Sequence, residues 1–595
     1  MKLSDYVIYY LEQIGVRDVF LLSGGGMMHL LDSVSRSEQI STYYNLNEQA
    51  TSICADAYGQ YTNHLGVCMV TTGPGATNAI TGVVSAFQDS TPMLVISGQV
   101  KTTELAPEGV RVKGLQEVQI TKLVKDVTKY AVTVMNKEDI RYHLEKAIHL
   151  ATTGRKGPVW IDIPLDIQAA EIIPEQLKGF QARKQNWKIS GDMLHNIKYH
   201  LMQAKRPLIL YGQGVLSSGA KKEALRLTEN LNIPFTLNWR AKGLADEDHS
   251  LFFGFPGSPA PRYSNFILQN ADFLLVVGSR LNAAITAFNP ENFAKHAKKF
   301  VVDIDKNELD LLDEALFETV HCDAKIFLKQ FLQEVENQYR FENEKWINFC
   351  SQMKQKYPVY QERMSFDAKG IYGFDFSEVL SRLSDDSDVF VVSPTGRVFT
   401  SSVLGIHLKG NQQIVVPSAL GSMGYGLPSV IGVCVASKKR RTIIFEGDGS
   451  LQHNLQELQL LKTYQLPIKL FIYNNSGYSS IYSMQNNHFK GNLAGCTENS
   501  GVALPELERI AKMYDLNYVK ISSNNELTEG ITKVLSDAFP TICEVVGDIR
   551  FEEIPRAQTK VNPDGTLSSS SLEELYPFIG SVSYTHLTLP TNSRV

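Results

Sequence analysis

The chain has 595 residues, too many for one hydrophobic core, and at roughly 150 residues per domain it predicts three or four domains. Its 43% hydrophobic and 20% charged residues are typical of a globular protein, and its net charge of −5 gives no electrostatic reason to expect nucleic acid or an anionic membrane as a partner. We therefore expect small-molecule ligands, and the seven scattered cysteines, without a CxxC pair, indicate neither a zinc site nor a dithiol switch.

The beginning of the chain enters an amphipathic pattern at once. Residues 1–6 lack the basic and then apolar layout of a signal peptide. Apolar stretches farther along, such as residues 427–436, are shorter than the ~20 residues that cross a bilayer. We therefore expect a cytoplasmic protein without a membrane-spanning segment.

Short β-rich apolar runs alternate with segments of helical periodicity along the chain. This alternation predicts parallel sheets covered by helices on both faces, which is a doubly wound α/β fold. The predicted strands are residues 67–71, 93–97, 159–163, 207–211, 273–277, 299–304, 389–392, 441–445 and 468–473.

Two charged stretches without a strand pattern, around residues 171–190 and 341–370, predict connectors between three such domains. We place the domains at residues 1–170, 190–340 and 365–555, followed by a C-terminal extension at residues 556–582. Residues 583–595 resemble translated sequencing-adaptor DNA, so we expect a non-native tail there, a natural disordered tail being the alternative.

The first and third domains each contain a strand, a Gly-rich turn and a helical pattern, at residues 67–75 and 442–449. An old duplication would explain this similarity. The general likeness of any two strand-to-helix turns would explain it equally well, so both explanations stay open.

The turn Gly447-Asp448-Gly449-Ser450 follows an apolar strand and precedes a helical pattern at residues 451–458. Ligands of α/β folds bind at the carboxyl ends of parallel strands, where glycines let backbone N–H groups approach a phosphate. Ser450 is expected to cap the helix or to touch the phosphate. Taken alone, an Asp-Gly pair is more often a simple turn.

The next predicted strand ends in Asn474-Asn475, so Asp448 and Asn475 are expected at neighbouring strand ends. Carboxylate, amide and carbonyl oxygens are ligands that suit Mg²⁺, which usually completes its octahedral shell with phosphates and water. Asp448, Asn475 and the carbonyl of Gly477 are therefore the predicted protein ligands of a magnesium ion that holds a diphosphate.

These motifs, together with others in the same order, resemble the thiamine diphosphate (ThDP) enzymes of the acetolactate synthase family over nearly the whole chain. The matching runs are Asn47-Glu48-Gln49-Ala50, Thr72-Gly73-Pro74-Gly75-Ala76-Thr77-Asn78, Leu115-Gln116-Glu117, Leu420-Gly421-Ser422-Met423-Gly424-Tyr425-Gly426 and Gly447-Asp448-Gly449-Ser450. The resemblance implies three α/β domains, of which the first binds the pyrimidine ring of the cofactor and the third binds its diphosphate.

The resemblance also implies roles for single residues. Glu48 matches the glutamate that hydrogen-bonds the aminopyrimidine ring and promotes its imino tautomer. Met423 matches the apolar residue that wedges between the two cofactor rings, which is a positioning role. The residues assigned to the cofactor are Gly421, Met423, Gly447, Gly449, Ser450, Thr395 and Gly396. The last two depart from the Gly-Gln-His pattern of typical acetolactate synthases.

Members of the family decarboxylate pyruvate and differ in what accepts the two-carbon unit. Gln116 matches a residue beside the reacting centre of the synthases, and decarboxylases of this fold carry a His-His pair that is missing here. The resemblance therefore favours a carboligase that transfers the unit to a 2-keto acid. It assigns Gly25, Ile481 and Met484 to the substrate pocket, with Met484 at the position of a synthase tryptophan.

The altered pocket leaves alternatives open. A keto-sugar acceptor in surface-polysaccharide synthesis, a simple 2-keto acid decarboxylase, and a cofactor-binding protein without activity are the other hypotheses. FAD in the central domain is also open, because residues 278–281 match the Gly-Ala-Arg-Phe run of FAD-binding members only in part. The family implies a homodimer or homotetramer with active sites at the subunit interface.

Overall fold

The computed structural model describes residues 1–182, 185–335, 341–359, 369–561, 564 and 566–579. The chain forms two compact units, one of residues 1–184, 383–399 and 411–549 and the other of residues 185–382, 400–410 and 550–595. Residues 583–595, in which we predicted a non-native tail, lie outside the described residues. Among the helices that the structure describes, none combines the length and apolarity that crossing a membrane requires.

The N-terminal part of the chain forms a six-stranded parallel sheet in the order β2-β1-β3-β4-β6-β5. Its strands are β1 (Asp18–Leu21), β2 (Ser41–Tyr44), β3 (Gly66–Val70), β4 (Met93–Gln99), β5 (Tyr130–Thr133) and β6 (Pro158–Pro164). Its helices are α1 (Leu3–Gln13), α2 (Met28–Ser35), α3 (Glu48–Thr62), α4 (Pro74–Asn78), α5 (Ile80–Gln88), α6 (Ile120–Leu123), α7 (Ile140–Thr152) and α8 (Leu165–Ala169). The inner strands β3, β4 and β6 are buried throughout, as expected for a sheet with both faces covered.

The middle of the chain forms a five-stranded parallel sheet in the order β11-β10-β9-β7-β8. Its strands are β7 (Pro207–Tyr211), β8 (Phe235–Leu237), β9 (Phe273–Val277), β10 (Lys298–Asp303) and β11 (Glu318–His321). Its helices are α9 (Gly191–Gln203), α10 (Gln213–Ser217), α11 (Lys221–Leu231), α12 (Arg262–Asn270), α13 (Ala283–Thr286), α14 (Lys306–Asp310), α15 (Ala324–Val335) and α16 (Glu344–Lys356).

Helix α16 corrects a prediction, because it lies in the stretch that we took as the second connector. Its apolar residues recur at helical spacing and are buried in the core of the second unit: Trp346, Phe349, Cys350 and Met353. Only residues 360–368 of that predicted connector lie outside the described residues.

The remaining sheet has six parallel strands in the order β13-β12-β14-β15-β17-β16. Its strands are β12 (Val389–Val392), β13 (Gln413–Val415), β14 (Thr442–Gly447), β15 (Ile468–Asn474), β16 (Asn517–Ile521) and β17 (Thr541–Val546). The helices of this part of the chain are α17 (Gly373–Leu383), α18 (Arg397–Gly405), α19 (Gly426–Ala436), α20 (Asp448–Leu451), α21 (Leu458–Thr463), α22 (Ser479–His488), α23 (Leu507–Met513) and α24 (Leu527–Ser536). A small antiparallel hairpin follows, formed by β18 (Thr559–Val561) and β19 (Leu567–Ser569).

The three parallel sheets confirm the predicted α/β fold class, and every predicted strand is present with its ends within two residues. The first and third sheets also have the same strand order when their strands are counted from the start of each sheet. The shared strand order agrees with the similarity between residues 67–75 and 442–449 that the sequence indicated.

Helices α3 and α19 bring the two six-stranded sheets of the first unit into contact. The Sγ atom of Cys54 in α3 donates a hydrogen bond to the carbonyl of Pro428 in α19, at 3.1 Å. A Cβ atom at Gly432 of α19 would lie 2.2 Å from the carbonyl oxygen of Cys54, so only glycine permits this approach. Helices α3 and α19 are therefore packed directly against each other.

Candidate active site

Asp448 lies where β14 ends and α20 begins. Its carboxylate accepts hydrogen bonds from the backbone N–H groups of Gly449 at 2.8 Å, Asn475 at 3.1 Å and Ser476 at 2.8 Å. Burial raises the pKa of Asp448 to about 6, although these N–H donors act in the opposite direction. Because β14 and β15 are parallel neighbours, the carboxylate fixes two adjacent strand ends relative to each other.

Asn475 follows β15 and has an unusual side chain. Its Oδ1 atom is buried and has no hydrogen-bond partner among the described residues. A buried amide oxygen without a partner is costly, and a bound cation is one way in which such an atom is satisfied. The structure thus places Asn475, with an oxygen available, beside the Asp448 carboxylate.

This donor set fits magnesium bound to a diphosphate. Across the described ranges, no three His, Cys, Asp or Glu side chains are grouped so that they could hold a metal ion by themselves. One carboxylate and one amide oxygen lie at this point, and a hard cation bound to them would need phosphate and water oxygens to complete its shell. At Gly477, a Cβ atom would lie 2.2 Å from the carbonyl oxygen of Cys496, which explains the glycine. Its carbonyl as third ligand stays a prediction.

The turn around Asp448 differs in one respect from the prediction. Helix α20 begins at Asp448 with Gly447 as its N-cap residue, so Ser450 lies inside the helix and does not cap it. The Ser450 hydroxyl instead accepts a hydrogen bond from the backbone N–H of Gly424 at 3.0 Å. At Gly449, a Cβ atom would lie 2.3 Å from the ring of Tyr478, so this glycine is required by close packing.

The loop that carries Met423 is held on two sides. Gly421 and Gly424 have φ angles of 64° and 76°, which favour glycine. Beyond the bond from Gly424 to Ser450, the carbonyl of Gly424 accepts a hydrogen bond from Nδ2 of Asn454 at 2.6 Å. These bonds fix the backbone next to Met423, as a wedge between two cofactor rings requires.

Asn454 is a residue that the sequence reasoning missed. It is fully buried, and its φ of −137° breaks the helical pattern predicted for residues 451–458 into α20, a short 3₁₀ segment and α21. Its Nδ2 group also donates to Oε1 of Gln49 at 3.1 Å. An asparagine inside a helical pattern was the available signal, since this residue type disfavours helix interiors.

Glu48 begins α3, behind an N-cap in which the Asn47 side chain accepts from the backbone N–H of Gln49. The Glu48 carboxylate is partly buried and accepts a hydrogen bond from Nδ2 of Asn78 at 3.0 Å. Through Gln49 and Asn454, the start of α3 is joined to the Met423 loop of the same chain. The motif of the aminopyrimidine-bonding glutamate and the motif of the wedge residue are therefore connected within one chain.

Gln116 and Gly25 also lie at the carboxyl edge of the first sheet. Gln116 is exposed and has a φ of 61°, and its carbonyl oxygen would lie 2.4 Å from a Cβ atom at Gly73 in the turn after β3. Gly25 lies in the turn after β1, where the N–H of the next residue, Gly26, donates to Oγ1 of Thr71. Added side chains at Gly25 would meet open space.

Thr395 and Gly396 form the turn between β12 and α18, and Gly396 has a φ of 76°. The next residue, Arg397, donates from Nη2 to Oγ of Ser483 at 2.7 Å. Ser483 lies in α22, the helix that also carries Ile481 and Met484, whose exposed fractions are 39% and 46%. Since β12 and β15 flank β14, this bond joins α18 to α22, the helices that follow the strands on either side of β14.

The predicted residues thus gather in two groups. Those of the third sheet surround the end of β14, whereas Gly25, Glu48 and Gln116 lie at the carboxyl edge of the first sheet.

Glu446 is another buried group that the sequence reasoning missed. Burial raises its pKa to about 7, and its Oε2 atom has no partner among the described residues. A glutamate at the end of an otherwise apolar strand was the signal for it.

Comparison with known families agrees with this arrangement. Residues 1–123 match the N-terminal TPP binding domain of thiamine pyrophosphate enzymes, residues 194–331 match the central domain of these enzymes, and residues 398–545 match their C-terminal TPP binding domain. The two TPP binding matches contain the residues of the site described above, except Thr395, Gly396 and Arg397, which directly precede the third match.

Relatives match along almost their full length. The chain is 30% identical over 568 residues to a probable acetolactate synthase large subunit of Methanococcus aeolicus, covering 92% of each chain. It is 28% identical over 557 residues to acetolactate synthase 1, chloroplastic, of Zea mays, covering 92% of this chain and 85% of the relative. It is 27% identical over 552 residues to the acetolactate synthase isozyme 1 large subunit of Escherichia coli K12, covering 93% and 95%. The chain therefore belongs to the acetolactate synthase large-subunit family of thiamine diphosphate-dependent enzymes.

Proposed function

We propose that this protein decarboxylates pyruvate and transfers the resulting two-carbon unit to a 2-keto acid, with ThDP and Mg²⁺ as cofactors. The observation that carries the proposal is the buried Oδ1 of Asn475, which has no partner among the described residues, on a residue whose backbone N–H donates to the carboxylate of Asp448. Bound ThDP supplies a nucleophilic thiazolium carbon and an electron sink. The chain's own residues supply binding, orientation and proton transfer.

Asp448, Asn475 and the carbonyl of Gly477 would hold the magnesium ion. Gly447, Gly449 and Ser450 on one side of it, and Thr395 and Gly396 on the other, would surround the diphosphate. Gly421 gives the preceding loop the backbone conformation that brings Met423 to the cofactor rings. In this arrangement Met423 sets the distance between the rings and forms no polar bond itself.

Glu48 would hold a proton on its carboxyl group and share it with the aminopyrimidine ring. Its hydrogen bond from Asn78 leaves one carboxylate oxygen to face the ring. Gln116 would flank the reacting centre, and Gly25 and Ile481 would line the substrate pocket. The chain has no adjacent pair of histidines to deliver a proton to the two-carbon unit, which supports transfer to a carbonyl acceptor.

Met484 supports a second candidate, in which the acceptor is a keto-sugar. Its exposed fraction of 46% leaves it open to a ligand, and methionine occupies less space than the tryptophan expected there from the family resemblance. A wider pocket admits a bulkier acceptor.

Whether FAD binds in the central domain is a separate question, which absorbance of the purified protein near ~450 nm answers.

The assembly that we propose is a homodimer or homotetramer in which Glu48 and Asp448 from different subunits complete each site. We also propose a cytoplasmic location and the domain limits given above, with residues 1–170 for the pyrimidine ring and 365–555 for the diphosphate. Sedimentation with and without ThDP and Mg²⁺ measures the assembly directly.

The activity test uses purified protein with pyruvate, ThDP and Mg²⁺. Release of CO₂ with formation of acetolactate supports the first candidate. Release of CO₂ with acetolactate absent, followed by a mixed ketol when a keto-sugar is added, supports the second. CO₂ with acetaldehyde as the only product under both conditions refutes carboligation.

A further inference from the structure

Gln116 has a backbone conformation that a non-glycine residue seldom adopts without support. Its φ is 61°, and its neighbour Leu115 has an exposed fraction of 89%, so apolar packing by Leu115 does not hold this turn in place. The turn ends an irregular segment that begins after β4. Something other than side-chain burial has to fix the position of Gln116.

The side chain of Glu117 supplies that support. It is 8% exposed, and its carboxylate accepts hydrogen bonds from the backbone N–H groups of Ala106 at 2.8 Å, Lys113 at 2.8 Å and Gly114 at 3.2 Å. The first bond reaches Oε1 and the other two reach Oε2, so the two oxygens hold both ends of the loop 106–114. The ammonium group of Lys113 donates to the carbonyl of Thr103.

These N–H donors act on a buried charge. Burial raises the pKa of Glu117, but the three backbone hydrogen bonds lower it more, and the net pKa lies below its usual value. Glu117 is therefore ionised at neutral pH, and charge-assisted bonds of this type are stronger than bonds between neutral groups. An ionised carboxylate closes the loop immediately beside Gln116.

The other side of Gln116 meets a second network. The Thr72 hydroxyl donates to Oε1 of Gln99 at 2.9 Å, and it lies 3.5 Å from the carbonyl oxygen of Gln116. Nε2 of Gln99 donates to the carbonyl of Val118 at 2.8 Å. The peptide groups on both sides of Glu117 are thus held against the end of the first sheet, and little freedom is left to Gln116.

We propose that Glu117 is a positioning residue, which fixes the left-handed conformation of Gln116 and thereby directs its side-chain amide towards the reacting centre. This inference rests on the proposed function, in which Gln116 flanks that centre. Glu117 itself bonds only to backbone groups among the contacts described above, so its effect on catalysis passes through Gln116.

The test is Glu117→Gln, with Glu108→Gln as the matched control on the exposed part of the same loop. Both carboxylate oxygens of Glu117 accept hydrogen bonds, whereas only one of the two terminal atoms of a glutamine amide is an acceptor. In Glu117→Gln, the NH₂ group would face a backbone N–H donor and loosen the loop 106–114. We expect kcat for ketol formation to fall at least tenfold in Glu117→Gln, with the KM for pyruvate within about twofold of that of the unchanged enzyme. Glu108→Gln should keep the original kcat. An unchanged kcat in Glu117→Gln overturns the proposal.

A double variant separates positioning from a general loss of structure. If Glu117 acts through Gln116, adding Glu117→Gln to Gln116→Ala should change kcat by less than twofold. Multiplicative losses in the double variant contradict the proposal. Should Glu117→Gln fail to fold, Lys113→Pro removes one of the three N–H donors and keeps the carboxylate, and a normal kcat in that variant likewise overturns the idea.

Hydrogen exchange distinguishes failure of this inference from failure of the proposed function. The amides of Ala106, Lys113 and Gly114 should exchange at least tenfold faster in Glu117→Gln, without any substrate present. Faster exchange in a protein that does not convert pyruvate would refute the proposed function and leave the loop support intact. Unchanged exchange would refute the support itself.

Discussion

Replacing Asn475 with alanine should have opposite effects on the free protein and on the cofactor complex. Oδ1 of Asn475 is buried without a partner among the described residues, and an unsatisfied polar atom of this kind costs about 1–3 kcal/mol. Asn475→Ala removes that cost. We expect the free energy of unfolding of the cofactor-free protein to rise by about 1 kcal/mol, after allowing for lost packing contacts.

The same substitution removes a proposed magnesium ligand. At a cofactor concentration of about 100 times Kd, binding to the folded state stabilises the unchanged protein by about 2.7 kcal/mol. If Asn475→Ala weakens binding by about 100-fold, the remaining gain is about 0.4 kcal/mol. Urea unfolding with and without ThDP and Mg²⁺ measures both quantities on the same samples.

Asn474→Ala is the matched control, one position earlier. Nδ2 of Asn474 donates to Oε1 of Glu544 at 3.0 Å, and its Oδ1 accepts from the N–H of Ser476 at 3.1 Å. This variant should lose about 1 kcal/mol without cofactor and keep the gain of about 2.7 kcal/mol with it. The reasoning fails if Asn475→Ala destabilises the cofactor-free protein and still responds fully to ThDP and Mg²⁺.

Three further predictions concern the cofactor, the pH and the acceptor. Glu48→Gln should still be stabilised by ThDP and Mg²⁺ but lose most turnover of pyruvate, and unchanged turnover would contradict the role of Glu48. Asp162 is buried, which raises its pKa to about 7, so the free energy of unfolding should fall as pH rises from about 4 to about 7. In Asp162→Asn, the decrease in the free energy of unfolding between pH 5 and pH 8 should be smaller by about 3 kcal/mol. If urea unfolding shows an equally steep decrease in this variant, the raised pKa of Asp162 is refuted. Met484→Trp should raise the ratio of acetolactate to any bulkier ketol at least threefold, measured as product partition from mixed acceptors.

The buried strands were predictable because both faces of a parallel sheet are covered. β3 and β9 consist of continuous apolar runs and β14 contains one at residues 443–445, which the sequence displays directly. Edge strands such as β2 and β16 were missed, because they lack a buried apolar run and most of their residues are exposed or partly exposed, as in a loop. Strand β17 was missed although it is buried, since Glu544 interrupts its apolar run.

In the candidate site, too, some features were predictable from the sequence and others were not. The pairing of Asp448 with Asn475 was predictable, because both follow apolar strands that are neighbours in a parallel sheet. The roles of Asn454 and Glu117 were not, since their partners include backbone N–H and C=O groups whose directions depend on loop conformation. Spacing along the chain carries no information about such bonds. For the same reason, capping by Ser450, one of its two predicted roles, was wrong, whereas its contact with the phosphate stays a prediction.

The two hydrogens of the Asn454 amide have a consequence for cofactor affinity. One side chain contacts both Gln49, next to the proposed proton-carrying Glu48, and Gly424, next to the wedge residue Met423. Any ligand that orders one of these segments lowers the entropic cost of ordering the other, and this coupling is reciprocal. In the proposed assembly, Glu48 and Met423 of one chain serve different sites, so this link would couple two cofactor molecules. Binding of ThDP at one site should therefore strengthen binding of ThDP at the other.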